Sequence, residues 1–310
     1  MNILVTGCAG FIASHLIQEL LKTDFNRIIG IDNFYSGSKN NLEFIKLCDK
    51  NNMFQFIEAD IRDFKKIDEI VKEYEIEQIY HLAAIVSVQE SINNPVLSND
   101  VNVKGTLVIL EVSRINNVKR VVFSSSAAVY GDEPTQPKNE SSTIKPISPY
   151  GLEKSVCEQY MKLYNENYGV ETVILRYFNV YGERQSAKSD YSGVISIFEN
   201  NFRNNQISNI YGDGTQYRDF IYVKDVCIAN IKAMNIQNIS GEIFCVGTNK
   251  KTSINELIDI LNKKYSKNLN ANYFEKRRGD IKESVCDNSK IKEIFNMQDM
   301  TSFEIGVLNI

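Results

Sequence analysis

Hydrophobic and polar positions follow two periods in the first half of the chain. Short apolar runs at Asn2–Thr6, Arg27–Ile31, Met53–Glu58, Gln78–Leu82, Val118–Ser124 and Glu171–Tyr177 read as strands. Between them the spacing becomes helical. Phe11 to Lys22 puts Ile12, Leu16 and Leu20 on one stripe, flanked by Ala13, Ile17 and Leu21. Pro95 to Ile115 and Ser148 to Tyr168 are two further helical patterns. Strands alternating with helices predict right-handed βαβ units and an α/β fold with a doubly wound parallel sheet. After about Asn179 the pattern loosens, and Glu183 to Ser192 is polar and loop-like. Ser253 to Lys264 reads as a helix, with Ser253 as N-cap and Glu256 three residues on, the pattern of a capping box. The expected organisation is a larger domain at 1–178, rejoined by a segment near 215–248, and a smaller C-terminal lobe at 179–310.

Composition narrows the class. The chain has 310 residues, enough to bury roughly 75% of the unfolded surface without staples. A net charge of -4 argues against a nucleic-acid partner, whose footprint is basic. No apolar stretch approaches the ~18 residues of a membrane helix, and Ile3-Leu4-Val5 already reads as strand directly after Met1-Asn2, so no signal peptide is expected. The six cysteines are scattered with no Cys-x-x-Cys, which points to reduced thiols in the cytoplasm. Two histidines leave no basis for a His-rich metal site.

Thr6-Gly7-Cys8-Ala9-Gly10-Phe11-Ile12-Ala13 joins the first strand to the first helix. Gly7 permits a tight turn, Gly10 lets backbone approach a pyrophosphate, and the helix N-terminus offers unpaired N–H groups. The spacing is Gly-x-x-Gly-x-x-Ala, with Ala13 where a third glycine would serve close helix–strand packing. A glycine turn in a generic α/β protein is the plainer reading. Asp32, before Asn33 at the end of the second strand, is placed to accept from adenosine ribose hydroxyls and to repel a 2′-phosphate, selecting NAD over NADP. Its alternative is a solvent-exposed Asp-Asn turn. Asp60-Ile61, after the third strand, is a candidate adenine site, with the carboxylate toward the exocyclic amine and Ile61 against the ring. These readings make residues 1–178 a Rossmann domain for NAD.

Tyr150 and Lys154 share a helix face at a spacing of four. An ammonium near a phenol favours the phenolate, so Tyr150 is expected to have a lowered pKa and to move protons on a sugar hydroxyl. Such a pair alone is commonly an incidental surface neighbour. Here the serine cluster Ser124–Ser126 and the glycine-rich turn precede it.

With these residues in hand, the chain resembles the extended short-chain dehydrogenase/reductase family acting on nucleotide-sugars, most closely its UDP-glucose/UDP-N-acetylglucosamine 4-epimerase type. The resemblance runs from about Ile3 to Ile291. It is carried by the turn at 6–13, His-Leu-Ala-Ala at 81–84, Ser-Ser-Ser-Ala-Ala-Val-Tyr-Gly at 124–131 and Ser-Pro-Tyr-Gly-Leu-Glu-Lys at 148–154. It continues in Leu-Arg-Tyr-Phe-Asn-Val-Tyr-Gly at 175–182, Arg-Asp-Phe-Ile-Tyr-Val-Lys-Asp at 218–225 and Arg-Arg-Gly-Asp at 277–280. The resemblance implies that Ser126, Tyr150 and Lys154 are catalytic, with Lys154 on the nicotinamide ribose. It implies a cofactor site of Gly7, Gly10, Phe11, Ile12, Asp32, Asn33, Asp60, Ile61, Leu82, Ala83, Ala84, Asn99, Ser124, Tyr150, Lys154 and Tyr177, with Phe178 beside Tyr177 at the nicotinamide–sugar junction. For a UDP-sugar substrate it implies Ser87 near the hexose, with Ser126 and Tyr150 at its C4 hydroxyl. Asn179 falls on the diphosphate or the sugar, Arg218 and Arg277 on the diphosphate and Asp280 on the uridine ribose. Arg278, adjacent to Arg277, leaves the choice between them open, and each arginine alone is more commonly a surface charge. Relatives pair as homodimers through two helices per subunit, here matched by 95–115 and 148–168.

Relatives on this scaffold begin by oxidising the sugar at C4. Those that eliminate water carry an Asp-Glu pair just before Val-Tyr-Gly, where this chain has Ala127-Ala128. Alanine offers no acid or base, so 4-epimerisation through a transient 4-ketose is the expected reaction. Ser284, where a bulky tyrosine would exclude an N-acetyl group, leads us to expect UDP-GlcNAc/UDP-GalNAc as well as UDP-Glc/UDP-Gal, a surface serine being the alternative. The rival expectations are an epimerase or reductase for UDP-glucuronate or a deoxy-sugar nucleotide, and a non-catalytic NAD-binding regulator.

Overall fold

The computed structural model describes residues 1–23, 27–185, 193–275 and 283–310. Its strands are β1 (Asn2–Thr6), β2 (Arg27–Asp32), β3 (Phe54–Glu58), β4 (Gln78–His81), β5 (Arg120–Ser126), β6 (Glu171–Tyr177), β7 (Asn179–Tyr181), β8 (Ser208–Tyr211), β9 (Tyr217–Arg218), β10 (Phe220–Tyr222), β11 (Ile243–Val246), β12 (Thr252–Ser253), β13 (Ala271–Phe274) and β14 (Glu283–Ser284). The α-helices are α1 (Phe11–Leu20), α2 (Lys39–Cys48), α3 (Phe64–Glu73), α4 (Val88–Asn93), α5 (Pro95–Asn99), α6 (Gly105–Ile115), α7 (Pro149–Tyr168), α8 (Val194–Arg203), α9 (Val223–Asn235), α10 (Ile254–Tyr265), α11 (Ser289–Phe295) and α12 (Phe303–Leu308).

Seven strands form one parallel sheet in the order β11-β6-β5-β4-β1-β2-β3. The central strands are buried on both faces, which is why they read as nearly continuous apolar runs. Successive residues serve opposite cores: Ile3 and Val5 of β1 join one, Leu4 the other. The split repeats in β5, where Val122 faces away from Val121 and Phe123. One layer contains α1 packed on α2 and α9; the other contains α3, α6 and α7. Order reverses at β1, whose neighbours are β2 and β4, so the loops after β1 and β4 diverge and open a crevice at the strands' C-terminal ends. The outer strand β11 comes from beyond residue 178 and pairs with β6. The smaller parts are short: β7 pairs with β10, β8 with β13, and β9 lies between β12 and β14.

Local signals explain the helices that matter here. Ser148 caps α7 by accepting from the Gly151 N–H at 3.1 Å, and Pro149 occupies its first turn. The capping box at Ser253 and Glu256 forms as expected. The stretch 95–115 is not one regular helix: Asp100–Lys104 is a π turn between α5 and α6. Five-residue spacing there rotates the helical face, so the side chains that point inward differ from those of uninterrupted 3.6 periodicity.

α7 is locked to β6 by a buried ion pair. Arg176 donates to Glu158 through Nε (2.9 Å) and Nη2 (2.7 Å), and Ser125 Oγ donates to the same carboxylate at 2.5 Å. Arg176 and Glu158 are 2% and 1% exposed. Removing one partner strands the other's charge, so Glu158→Gln is expected to cost roughly 3–5 kcal/mol. The paired change Glu158→Leu with Arg176→Met should cost less than Glu158→Gln alone, as read by urea unfolding.

Candidate active site

The crevice is built from the ends of β1, β2, β4 and β5. At its centre Gly7 has φ +70, and a Cβ there would lie 2.9 Å from the backbone N and Cα of Ala83. Only glycine fits that turn and that approach. Thr6 ties the two loops together: its Oγ1 accepts from Leu82 N (3.1 Å) and Ala83 N (3.0 Å) and bonds His81 Nδ1 at 2.8 Å. Thr106 donates to Asn102 O, so it accepts from His81 Nε2 at 3.1 Å. That network leaves Nδ1 to accept from Thr6, and burial holds the ring neutral, with its pKa pushed down to about 3. Phe11, Ile12 and Ala13 supply the first-turn N–H groups of α1, ahead of the bond from Ser14 N to Gly10 O. These donors, the close approach at Gly7 and the carboxylate of Asp32 fit a dinucleotide.

Asp32 is buried at the end of β2, not a solvent-exposed turn residue. It accepts from Ala9 N at 3.0 Å and Phe34 N at 2.7 Å, and burial raises its pKa. Asn33 is exposed and donates to Asp60 at 3.0 Å. Asp60 departs from expectation. Arg62 reaches it through N, Nε and Nη2, and with Asn33 fills its four acceptor positions. The Arg62 bonds are the main reason its pKa falls to about 2. That ion pair, continued by Arg62 to Asp100 at 2.8 Å, takes the place of the expected adenine amine. Ile61 is buried against Gly105.

Asn99 is exposed at the end of α5, and the asparagine bonded within the fold is Asn102, in the π turn. Asn102 bonds both backbone groups of Ile85 (2.8 and 3.0 Å) and donates to Glu153 at 2.7 Å, which fixes the loop that continues from Ala83 and Ala84. Ser87 caps α4, accepting from Glu90 N at 2.9 Å.

At the other end of the crevice, Ser126 is the last residue of β5 and leads into the turn Ala127–Tyr130. A Cβ at Gly151 would lie 2.5 Å from the Ala128 carbonyl, so glycine lets α7 approach that turn and brings Tyr150 to Ser126. Tyr150 N donates to Ser91 Oγ at 3.1 Å. Lys154 Nζ donates to Ser124 O at 2.8 Å and lies over the Phe123 and Tyr150 rings, 4.7 and 5.9 Å from their centroids. Ser124 Oγ lies 3.0 Å from the Tyr177 hydroxyl, which donates to Asn230 at 2.9 Å. The expected lowering of the Tyr150 pKa is not found in the protein alone. Burial raises it to about 12, against a lowering hydrogen bond from Ser126. Lys154 is itself pushed down to about 8 by burial.

Beside this crevice lies a cleft of about 290 Å³ lined by Asn179, Gln185, Tyr211, Gln216 and Arg218, among others. Arg218 pairs in register with Ser284, placing two of the expected substrate residues side by side. Asn179 Nδ2 donates to Asp219 O at 3.0 Å. Arg277, Arg278 and Asp280 lie outside the described residues. Among the described residues no cluster of three or more metal-ligating side chains occurs, and no helix is long and apolar enough to cross a membrane.

A doubly wound sheet, a glycine-rich turn at its switch point and a Ser–Tyr–Lys constellation define a dinucleotide-dependent enzyme. Residues 3–247 match the NAD dependent epimerase/dehydratase family, and the chain belongs to it, on the UDP-sugar 4-epimerase branch. A UDP-glucose 4-epimerase of Mycolicibacterium smegmatis is 34% identical over 308 residues, 99% of this chain and 96% of that one. The structure of a UDP-glucose 4-epimerase from Thermotoga maritima with UDP-glucose superimposes with a TM-score of 0.93 at 36% identity, over 100% of this chain and 97% of that one. A UDP-N-acetylglucosamine 4-epimerase from Methanobrevibacter ruminantium, in complex with UDP-N-acetylmuramic acid, gives 0.92 at 36% identity, over 99% and 96%.

The lysine's depressed pKa carries a stability cost. Below about pH 8 both folded and unfolded Lys154 are charged, and the fold bears the burial penalty in full. Between that value and the ordinary 10.5 the unfolded chain binds more protons, so stability rises and the penalty fades. NAD-stripped Lys154→Met is therefore expected to be more stable than the parent at pH 7, by on the order of 3 kcal/mol. Urea unfolding across pH 7–10.5 should show the gap closing.

Proposed function

We propose that this protein inverts C4 of UDP-hexoses, taking UDP-GlcNAc/UDP-GalNAc as well as UDP-Glc/UDP-Gal. The observation that carries the reading is the meeting of Ser126, Tyr150 and Lys154 at the end of β5, with Ala127 and Ala128 in the adjoining turn. NAD, when bound, supplies the acceptor and donor of hydride. Tyr150 takes the proton of the C4 hydroxyl, and Ser126 holds that oxygen and hydrogen-bonds the phenol. A phenol pushed up to about 12 is a poor base in the protein alone; the positive charge that would lower it would come with bound NAD+. Lys154 lies along the helix face below the phenol and binds the nicotinamide ribose. Alanines at 127 and 128 leave no acid to expel a hydroxyl from C6, and the ketose is left to be reduced from its other face. The tether through which the hexose swings is held by Asn179 and Arg218, with Arg277 or Arg278 and Asp280 completing the nucleotide grip. Asp32 selects NAD by its buried carboxylate.

The substrate range rests on Ser284, whose small side chain stands beside Arg218 in the β9–β14 pair. Purified protein given UDP-GlcNAc, UDP-Glc and UDP-GlcA separately, with no added cofactor, should interconvert the C4 epimers of the first two. Tyr150→Phe should lose roughly 10²–10⁴-fold in rate while keeping NAD. Ser284→Tyr should suppress the N-acetylhexosamines selectively. Equal loss on both sugars would remove the basis for the range, and full activity of Tyr150→Phe would remove the assigned base.

The same reading includes a homodimer formed through the segments 95–115 and 148–168. It is supported by Val96, Ile115, Leu152 and Leu163, apolar side chains exposed at 83, 39, 54 and 45%. The free thiols fit a reducing compartment such as the cytoplasm. Sedimentation should give twice the chain mass of 35.4 kDa; a single-chain mass at micromolar concentration would refute the pairing.

A further inference from the structure

The cleft beside the crevice is assembled from chain segments that share no long strand: β9 and β14 are two residues each, and β7 three. Such short pairings cannot hold a binding wall by themselves. One fully buried residue lies among them all. Asp219, between β9 and β10, is 0% exposed. Its Oδ1 accepts from Thr248 N at 2.8 Å and Thr248 Oγ1 at 2.6 Å. Its Oδ2 accepts from Asn249 N at 2.8 Å and Cys286 N at 3.0 Å. Its own N–H donates to Ser284 O at 2.8 Å, and its carbonyl accepts from Asn179 N at 3.2 Å and Nδ2 at 3.0 Å.

We infer that Asp219 is the positioning residue of the nucleotide-sugar wall, an inference that rests on the reading of this cleft as the diphosphate-sugar site. Three of the expected substrate residues are one step from it: Arg218 is its chain neighbour, while Ser284 and Asn179 are bonded to its main chain. The carboxylate anchors that backbone from behind, by joining the loop after β11 (Thr248, Asn249) and the segment after β14 (Cys286). Four donors converge on two oxygens, so the anchor needs a carboxylate. An amide of the same shape turns one acceptor into a donor facing two N–H or O–H groups. Packing forbids a longer acid, since even a Cβ on Gly247 would stand 3.0 Å from Oδ2 and 2.5 Å from Cys286 Cβ. None of these bonds reaches Gly7, Asp32, Tyr150 or Lys154. The residue therefore tunes the grip on the nucleotide-sugar separately from the cofactor and the proton-transfer group.

The test compares UDP affinity by calorimetry, NAD released by acid from the purified protein, and kcat and KM, for the parent, Asp219→Asn, Thr248→Val and Thr248→Ser. Charge-assisted bonds of this kind are worth enough that Asp219→Asn should weaken UDP binding about tenfold or more. KM should rise in step, with bound NAD unchanged and kcat within about threefold, the pattern of lost uniform binding. Thr248→Val, lacking one donor of four, should show a smaller loss in the same direction, and Thr248→Ser, which keeps the hydroxyl, should restore it. A folded Asp219→Asn with parental UDP affinity would overturn the inference, as would NAD loss in step with UDP loss. If Asp219→Asn cannot be recovered folded, parental UDP affinity in Thr248→Val overturns it, and a selective loss there supports it. A parent protein that binds NAD but no UDP would instead remove the functional reading beneath the inference.

Discussion

A lysine ammonium buried against a carbonyl and two aromatic faces is the constraint around which this site is arranged. Lys154 is 3% exposed, and its hydrogen bond goes to the Ser124 carbonyl rather than to a carboxylate. A carboxylate there would satisfy the charge and neutralise its influence; a carbonyl keeps the charge in place. The neighbouring phenol is also buried, so the two groups are displaced in opposite directions, one to about 8 and the other to about 12. Both displacements have one cause, exclusion of water, and both respond to the charge brought next to them. The site is thus electrostatically unfinished until a ligand completes it, which ties proton chemistry to occupancy of the crevice.

What keeps that unfavourable arrangement in place lies behind it. The Arg176–Glu158 pair fixes the rotation of α7 against β6, and Ser148 fixes where α7 begins. Glu153, on the same helix, accepts from Ser98 and Asn102 at 2.7 Å each, linking the catalytic helix to the loop that meets the glycine-rich turn. The short strands outside the main sheet use the same device in another form: buried acceptors, with Asp219 foremost, hold strands that could not hold themselves.

Much of this was legible in the chain. Strand runs were dense enough to mark six of the seven sheet strands, because the inner ones are covered on both faces and have no polar alternation to obscure them. Ser148-Pro149 and Ser253 with Glu256 announced two helix starts through local chemistry. The misreadings share a cause: each needed information from across the fold. The resemblance pointed to Asn99, and nothing local to 95–115 signals the π turn from which Asn102 engages Ile85 and Glu153. Spacing also brought Lys154 beside Tyr150 but not the walls that exclude water from both, so the direction of the tyrosine's shift came out reversed. Asp60 was assigned to a base amine without regard to Arg62, two residues on, which the fold turns back onto it. Asp219 carries no local signature, since its partners lie 29 to 67 positions away.

The position of β11 has a consequence for how the molecule is made. This outermost strand of the sheet ends at Val246, after the chain has already left to build β7, β8, β9 and β10 elsewhere. As the polypeptide emerges from the ribosome, β6 stays unpaired on one side, a row of open amides and carbonyls beside apolar side chains. An emerging chain in that state is a template for pairing with its neighbours on the same messenger, and it closes only when the late strand arrives.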